Sequence, residues 1–429
     1  MQTLKLLISA YACEPGKGSE PGVGWRWALE TAALGHDVWV ITRSNNQPAI
    51  AKAFSRLGKP KNLHFCYYDL PVWARWWKRG GHGVHLYYLL WQWGAYTKAA
   101  ELHKRENFQA VHHITFGVTR HPSFMGRLGI PFIVGPLGGG ESAPLAARKY
   151  VSFAGRVKDR VRDMVNRAAR LDPWVRQMYA QASLILMKTP QSLQWLPQHY
   201  RDKAQCMLEI GVDGIPPASI ESLDFPKQHQ VLHVLYVGRF LYWKGMDIGL
   251  RALAELREHG IPVRLTMIGQ GPEKERWQAL TSQLRLANCV TWVPWMQQKD
   301  LLRAYQAFDA MLFPSLHDSS GNVVLEAMAG GLPVVCLDIG GPAQLVDASC
   351  GRVVTVDGLS AEKIVKNLAA TLAELATQRH LIQDLREGAL LRAQTFAWRQ
   401  VITQIWGHGG LGLQAVGDAV GKEAAYVQA

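Results

Sequence analysis

Short apolar runs alternate with segments of helical period along most of this 429-residue chain. Such alternation is typical of βα units, in which parallel strands lie buried beneath helices. Because the pattern restarts after Gly211, it predicts an α/β protein with two successive doubly wound domains. The predicted strands are Leu4–Ala10, Asp37–Thr42, Leu63–Tyr68, Ala110–Ile114, Phe132–Gly135 and Leu184–Lys188, then Val231–Val237, Val263–Ile268, Val290–Val293, Ala310–Phe313, Pro333–Leu337 and Arg352–Val354.

The predicted domain boundary falls in Gly211–Gln230, a linker rich in Pro, Gly and Asp. The first domain is predicted to span residues 1–210 and the second residues 211–394. We expect the helical, aromatic segment 395–406 to pack back on the first domain, and the Gly- and Ala-rich residues 407–429 to form a flexible tail. In such domains ligands bind at the carboxyl ends of the strands, which are expected here to face an interdomain cleft.

Positive charge is concentrated in one part of the chain. The formal net charge is +13, and Pro71–Arg170 holds 16 Lys and Arg against 5 Asp and Glu. Aromatic residues favour bilayer interfaces and basic clusters favour anionic lipids, so this part is predicted to meet an anionic membrane surface. One alternative is a buried aromatic cluster beside a solvated basic helix. The other is a patch that binds nucleic acid, although no recognised nucleic-acid-binding module is present. Five of the 16 Trp lie here: Trp73, Trp76, Trp77, Trp91 and Trp93.

The cysteines and the amino terminus indicate a reducing, cytoplasmic compartment. Six cysteines are scattered without CxxC spacing, which argues against a disulfide framework or a zinc site. The apolar run Leu6–Ala10 is too short for a signal peptide and is interpreted as a buried strand. No run of about 18 apolar residues is present to form a single membrane-spanning helix.

The stretch 314–326 carries the most specific chemistry. Asp318 and Glu326 lie on either side of a loop-to-helix transition, and small residues between them allow a ligand to approach the backbone closely. A helix start attracts anions through its unpaired amides and its dipole. A diphosphate suits these amides and hydroxyls suit the acids, which together indicate a nucleotide sugar. The alternatives are a hydrolytic carboxylate pair or simple surface ion pairing. The residues between the acids include Ser320, Gly321, Asn322 and Val323.

A second candidate site element is basic. Arg239 and Lys244 follow a predicted buried strand directly, where two cations would neutralise a diphosphate and the charge that develops as it leaves. The alternative is a solvated loop with two surface bases. Together with the acidic stretch, this pair favours transfer from a phosphate-leaving donor over hydrolysis.

Glycine-rich loops and histidines follow strands of the first domain. Gly16, Lys17 and Gly18 form a loop of the kind that approaches phosphates, although a merely flexible loop is the alternative. Gly139 and Glu141 end a later strand, where Glu141 is predicted to touch an acceptor hydroxyl; a simple turn is the alternative. His112, His113 and His121 lack the spacing of a metal site, so no metal is expected.

Taken together, these motifs resemble the retaining glycosyltransferases of family four, which have the two-Rossmann-domain GT-B fold. VGRFLYWKG, MIGQGPE, FPSLHDSSGNVVLEAMAGGLPVV and IGGPAQLV occur in the family's order and spacing. SAYACEPGKGSEPGVGW and VGPLGGGE resemble segments of polysaccharide-assembly members. The resemblance covers most of residues 1–406.

The resemblance implies a role for individual residues. Arg239 and Lys244 would bind the donor diphosphate, Glu326 the ribose, and Asp318, where relatives usually have Glu, the sugar hydroxyls. Family members often have a histidine in the cleft, and the equivalent position in this sequence is Thr115. His113 or His121 is the candidate to take its place. Trp295 follows a strand after which relatives usually have Gly, and it would shape the pocket for the base. The remaining donor-binding candidates are the Gly16–Gly18 loop, Gly238, Gly269 and the backbone of Ser320–Val323.

The predicted function is therefore transfer of a sugar, with retention of configuration, from a nucleoside diphosphate sugar to a hydroxyl of a lipid-linked glycan. This would serve polysaccharide or glycolipid synthesis on the inner face of the cytoplasmic membrane, without a metal or other cofactor. A catalytically inactive sugar-nucleotide-binding or scaffold protein and a GT-B epimerase are the alternatives. A nucleic-acid binder ranks last.

Overall fold

The structure is a computed structural model that describes residues 3–74, 83–213 and 231–428. It divides into two compact units. The amino-terminal unit comprises Met1–Gly140, Val165–Ile210 and Trp398–Ala429. The carboxy-terminal unit comprises Glu141–Met164 and Gly211–Ala397.

A seven-stranded parallel sheet forms the centre of the amino-terminal unit, in the order β3-β2-β1-β4-β5-β6-β7. Leu6, Leu7 and Ile8 of β1, an interior strand, are fully buried, which explains their continuous apolar run. The strands are β1 Lys5–Ser9, β2 Asp37–Thr42, β3 Leu63–Tyr67, β4 Ala110–His113, β5 Phe132–Leu137, β6 Leu184–Met187 and β7 Ala204–Cys206.

Helices connect these strands and cover the sheet. Tyr87, Tyr88 and Trp91 of the long helix α3 are fully buried in the core of this unit. The helices in chain order are α1 Ser19–Ala33, α2 Gln47–Leu57, α3 Val84–Glu106, α4 Phe153–Ala169, α5 Pro173–Gln181 and α6 Pro190–Trp195.

The carboxy-terminal unit is built on a six-stranded parallel sheet in the order β10-β9-β8-β11-β12-β13. Its strand order reverses between β8 and β11, the point at which doubly wound sheets bind ligands. The strands are β8 Leu232–Val237, β9 Val263–Ile268, β10 Val290–Val293, β11 Ala310–Phe313, β12 Val334–Leu337 and β13 Gly351–Val354. The helices are α7 Met246–Glu258, α8 Lys274–Gln283, α9 Gln298–Ala304, α10 Asn322–Ala329, α11 Pro342–Leu345, α12 Ala361–Thr377 and α13 His380–Gln394.

All twelve predicted strands are confirmed, to within two residues at their ends. The edge strand Ala204–Cys206 was missed, because only three residues form it and two of them are exposed. The predicted linker lies mostly outside the described residues, since 214–230 are not among them, and the same holds for Trp76 and Trp77.

The predicted boundary of the first domain differs from the structure in one internal segment. Residues 141–164 belong to the carboxy-terminal unit, although they precede β6 of the other sheet. The reason is a set of side-chain bonds to that unit, including those of Glu141 to Ser319 and Asp159 to Tyr242. Sequence order alone does not reveal such an exchange.

The carboxy-terminal residues Trp398–Ala429 belong to the amino-terminal unit, whereas residues 395–397 belong to the other unit. Helix α14, Trp398–Trp406, packs against α1, and Trp406 Nε1 donates to His112 Nδ1 at 3.3 Å. The predicted flexible tail is instead largely helical, because α15 runs from Leu411 to Gln428. Its alanines favour helix, and Val416 is buried.

Candidate functional site

Lys244 and Asp318 form an ion pair at the switch point of the carboxy-terminal sheet. Lys244 Nζ lies 2.6 Å from Asp318 Oδ2, and both side chains are mostly buried. The Lys244 ammonium also stands 4.7 Å from the ring centre of Phe313, the last residue of β11. Two of the candidates predicted separately from sequence are therefore direct partners.

The close approach of their two loops depends on Gly245. This residue has a φ of +68°, and a Cβ atom on it would lie 1.9 Å from the carbonyl oxygen of Pro314. Any side chain here would push apart the loop that carries Lys244 and the loop that leads to Asp318. The glycine thus brings the two charged residues within bonding distance.

Asp318 uses its second oxygen to organise its own loop. Asp318 Oδ1 accepts hydrogen bonds from the N–H groups of Gly321 at 2.9 Å and Ser320 at 3.3 Å. Burial alone would raise the pKa of Asp318, but the charge and hydrogen bond of Lys244 and these two amides outweigh it and lower the pKa. The carboxylate is therefore ionised at neutral pH, with both oxygens engaged.

The start of helix α10 supplies further hydrogen-bond donors. Gly321 stands just before it with a φ of +81°, a left-handed conformation that suits glycine. Within the described part of the chain, the N–H groups of Asn322 and Val323 have no hydrogen-bond acceptor. Ser320 and Gly321, predicted as diphosphate donors, instead donate to Asp318, so Asn322 and Val323 carry the anion-binding potential of this helix.

Glu326 lies one turn further along α10, on the same face as Asn322. Its Oε1 atom accepts a hydrogen bond from Gln298 Nε2 at 2.9 Å. Burial raises the pKa of Glu326, and the Gln298 bond opposes that shift. Its role in binding the ribose hydroxyls stays a prediction.

The remaining donor-site candidates of this unit lie at the ends of β8, β9 and β10. The Arg239 side chain is exposed, in contrast to Lys244. Gly238 and Gly269 end neighbouring strands, and a Cβ atom on Gly269 would lie 2.0 Å from the carbonyl oxygen of Gly238. Trp295 is 71% exposed, so its indole is accessible to a planar base.

Sequence reasoning missed the part played by residues 141–164, which we call the brace segment. Glu141 is 1% exposed, and its Oε2 atom accepts a hydrogen bond from the Ser319 hydroxyl at 2.8 Å. This burial differs from the predicted contact with an acceptor hydroxyl. Ser319 is the residue next to Asp318, so Glu141 supports the Asp318 loop instead.

Asp159 of the brace segment is fully buried and contacts both loops of the ion pair. Its Oδ1 atom accepts from the Tyr242 hydroxyl at 2.9 Å and from His317 Nε2 at 3.1 Å. Asp159 Oδ2 lies 3.6 Å from Arg148 Nε. The sequence shows that His317 precedes Asp318, but no nearby residue pattern identifies Asp159 as the partner of His317.

The candidates of the amino-terminal unit lie in a different set of loops. Gly16, Lys17 and Gly18 are exposed and precede α1, with Gly16 at a φ of +70°. The Lys17 ammonium pairs with Glu14 at 2.9 Å. Gly139 has a φ of +92°, and its carbonyl oxygen accepts from Asn166 Nδ2 at 2.8 Å.

The two candidate histidines differ in environment. His113 is 1% exposed, and its ring nitrogens contact the Tyr88 hydroxyl at 3.1 Å and the Ser9 hydroxyl at 3.2 Å. Burial lowers the pKa of His113 to about 3. His121 is only half-buried and stacks on Phe116. His113 therefore fits a structural role, and His121 is the more exposed of the two.

Two parallel doubly wound sheets with a switch-point site of this kind define the GT-B class of fold. Several solved structures match nearly the whole chain. Sucrose-phosphate synthase from Thermosynechococcus elongatus has a TM-score of 0.58 at 18% identity, covering 94% of this chain and 97% of that one. The HepE protein of Anabaena in complex with UDP has a TM-score of 0.57 at 17% identity, covering 94% and 98%.

The family model described as "Glycosyl transferases group 1" matches residues 221–387. A curated relative, the D-inositol 3-phosphate glycosyltransferase of Corynebacterium aurimucosum, is 27% identical over 53% of this chain and 57% of its own length. The carboxy-terminal part of the chain is therefore similar to the group 1 glycosyltransferases. The chain spans 57% and 59% of the length of two curated relatives that it matches.

Proposed function

We propose that the protein transfers a sugar from a nucleoside diphosphate sugar to a hydroxyl acceptor, with retention of configuration at the anomeric carbon. The observation that carries this proposal is the Lys244–Asp318 pair beside the start of α10. It combines a cation, free helix amides and a carboxylate within one loop cluster. HepE, which shares the fold, has been solved with UDP bound.

In the proposed reaction Lys244 binds the diphosphate. Its ammonium has three donors, so the bond to Asp318 leaves others for phosphate oxygens. The amides of Asn322 and Val323 add fixed dipoles that stabilise the negative charge as the bond to the sugar breaks. Arg239, whose side chain is exposed, is the second candidate cation.

The leaving diphosphate would itself take the proton of the acceptor hydroxyl on the face from which it departs. The new glycosidic bond then forms on that same face, which gives retention without a protein nucleophile. Glu326 would hold the ribose hydroxyls, and His121 is the proposed substrate-contacting histidine of the amino-terminal unit. We expect the reaction to proceed without a bound metal, because Lys244 and the helix amides supply the positive charge.

Ligand-induced stabilisation tests this proposal and identifies the donor. UDP-, GDP- and ADP-sugars are screened for a rise in the thermal unfolding midpoint, since a ligand that binds only the folded state must raise it. We expect one nucleotide sugar to raise the midpoint and its hydrolysis or transfer to persist in EDTA. No shift with any nucleotide sugar would contradict the proposal. Interconversion of the sugar without an acceptor would favour an epimerase, and tight binding without turnover a scaffold protein.

The proposed acceptor is a glycan linked to a lipid at an anionic membrane surface. Helix α4 supports this proposal, since Phe153, Val157, Val161 and Met164 recur on one face and are all exposed, Phe153 to 74%. The cations of the helix that reach solvent flank this apolar stripe, while its Asp159 is buried. Apolar stripes flanked by cations lie in the plane of anionic bilayers. These exposed cations are Arg156, Lys158, Arg160 and Arg167.

Aromatic residues of the amino-terminal unit give this proposal separate support. Trp93 is 50% exposed on α3, contacts Phe124, and has the Arg127 guanidinium 5.1 Å from its ring centre. Trp73 is 77% exposed. By contrast, Trp91 belongs to the core, so the Trp-rich region divides between packing and surface.

Flotation with liposomes tests the membrane proposal. We expect the protein to float with vesicles containing phosphatidylglycerol, to float less as salt rises, and not to float with neutral vesicles. The double variant Phe153→Ser with Val157→Ser should lose flotation while keeping its donor-induced thermal shift. Salt-insensitive or absent flotation would remove the membrane acceptor. D-inositol 3-phosphate, the compound in the name of one curated relative, is the soluble acceptor to compare.

Within the described residues, no helix is both long and apolar enough to cross a membrane.

A further inference from the structure

The brace segment, Glu141–Met164, contacts the residues that directly flank both members of the Lys244–Asp318 pair. Tyr242, two residues before Lys244, donates to Asp159. His317, immediately before Asp318, contacts the same carboxylate oxygen. One side chain from a distant part of the sequence therefore touches both loops that carry the ion pair.

We propose that Asp159 is a positioning residue that sets the distance and orientation between Lys244 and Asp318. This proposal rests on the proposed donor site and adds the residue that holds it in shape. Asp159 does not itself belong to the donor site, because its hydrogen bonds go to Tyr242 and His317. It acts only through Tyr242 and His317, the neighbours of the two site residues.

The chemistry of the contacts indicates that Asp159 holds Tyr242 and His317 rigidly. Asp159 and Tyr242 are buried and the His317 side chain is 8% exposed, so water does not compete for their bonds. A carboxylate can only accept, so His317 donates its Nε2 hydrogen to Asp159. Hydrogen bonds to a charged group are stronger than neutral ones.

The charge on Asp159 is itself secured. Burial alone would raise the pKa of Asp159, but the bonds from His317 and Tyr242 and the nearby Arg148 charge outweigh it and lower the pKa. Burial lowers the pKa of His317, in agreement with a neutral ring. Tyr242 faces Arg162 as well as Arg148 and Asp159, and the pKa of its hydroxyl is raised, with burial as the largest cause.

The brace segment is in turn held to itself by arginines. Arg148 donates to the Ala143 carbonyl at 2.9 Å, to Ser142 Oγ at 2.6 Å and to Asp163 Oδ2 at 2.7 Å. Arg162 donates to the carbonyl of Glu141. Since Glu141 accepts from Ser319, the loop around Asp318 is held on both sides by carboxylates of one self-bonded segment.

The chain offers a matched control for Asp159. Asp163 lies one turn later on the same helix and shares the partner Arg148, at 2.7 Å. Its carboxylate accepts hydrogen bonds from Arg148 and Ser142, both within the brace segment. Asp163→Asn therefore weakens the internal bonds of the segment without touching either loop of the ion pair.

The first test compares turnover of the donor found in the thermal-shift screen. We expect Asp159→Asn and Tyr242→Phe each to lower kcat by about tenfold or more, with the KM for donor changing less, because misplaced charges weaken the transition state most. The double variant that combines Asp159→Asn with Tyr242→Phe should lower kcat no more than the more damaging of the two single variants. His317→Gln, whose amide can still donate to Asp159, should keep more activity than His317→Ala. Asp163→Asn should match the wild type in kcat.

The second test does not depend on activity. Amide hydrogen exchange is followed by mass spectrometry in peptides covering residues 239–246 and 315–323. Asp159→Asn should accelerate exchange by about tenfold or more in both peptides, and Asp163→Asn should not.

The outcomes separate the two proposals. Unchanged exchange in Asp159→Asn, or kcat equal to that of the control, would overturn the positioning role. A wild-type protein that binds no nucleotide sugar would overturn the proposed function, while the exchange experiment still decides whether Asp159 holds the two loops.

Discussion

The Nζ atom of Lys244 lies 2.6 Å from Oδ2 of Asp318, although the two residues are 74 positions apart in the chain. The pair joins the loop after β8 to the loop before α10, and these flank the switch point of the sheet. Lys244 is thereby fixed in direction, and Asp318 is kept ionised. A cation with spare donors and a fixed carboxylate suit a diphosphate joined to a sugar.

Replacing Lys244 by Ala should abolish turnover of the donor. The variant loses the cation that would offset charge on the leaving phosphate, so we expect kcat/KM to fall by about 100-fold or more. Glu326→Ala should have a comparable effect through the lost ribose contact. Steady-state assays with the identified donor measure both. Lys363→Ala, an exposed lysine on α12, is the control, and normal turnover in Lys244→Ala would contradict the assignment.

Asp318 should make the fold sensitive to acid. Its folded-state pKa lies below its usual value, so its contribution to stability is present above the unfolded pKa and is lost as pH falls through the folded pKa. We expect Asp318→Asn to lower the free energy of unfolding by about 1–3 kcal/mol at pH 7. Urea unfolding of both proteins at pH 7 and pH 3 measures this difference in free energy. A difference that is as large at pH 3 as at pH 7 would contradict the prediction.

His113 should contribute to stability rather than to chemistry. Its pKa of about 3 in the fold, against about 6.5 when unfolded, means that the unfolded chain takes up the proton first. The stability that neutral His113 provides is therefore complete above pH 6.5 and falls as pH drops towards 3. His113→Gln should flatten the decline of unfolding free energy between pH 7 and pH 4.

His121 provides the contrast to that variant. We expect His121→Ala to lower donor turnover, whereas His113→Gln should alter turnover only to the extent that the protein unfolds. Parallel assays well below the unfolding midpoint separate the two effects. A large loss of turnover in a fully folded His113→Gln would reverse this assignment.

Trp406 should be essential for the stability of the amino-terminal unit. It is 1% exposed, donates to His112, and accepts from His36 through its carbonyl oxygen at 2.8 Å. Trp406→Ala should lower the free energy of unfolding by about 3–5 kcal/mol. Trp295→Ala removes an exposed Trp and should change it by less than about 0.5 kcal/mol. Equal effects in chemical denaturation would show that α14 does not anchor this unit.

Sequence reasoning predicted the two sheets and the site motifs, but it did not predict which groups bind each other. Asp318 was expected to face a sugar, yet its oxygens bind Lys244 and the amides of Ser320 and Gly321. Glu141 was expected at an acceptor and is instead buried against Ser319. Polar side chains pair according to three-dimensional distance, which residue type and spacing do not encode.

The sequence by itself determined the strands, the order of the βα units and the motifs at the strand ends. Apolar periodicity and glycine placement act over a few residues, so they can be interpreted without coordinates. Only the tertiary structure decided that residues 141–164 join the second unit and that Asp159 reaches Tyr242 and His317, which lie 83 and 158 positions away. Contacts at such separations arise from the packing of whole elements, and no local pattern specifies them.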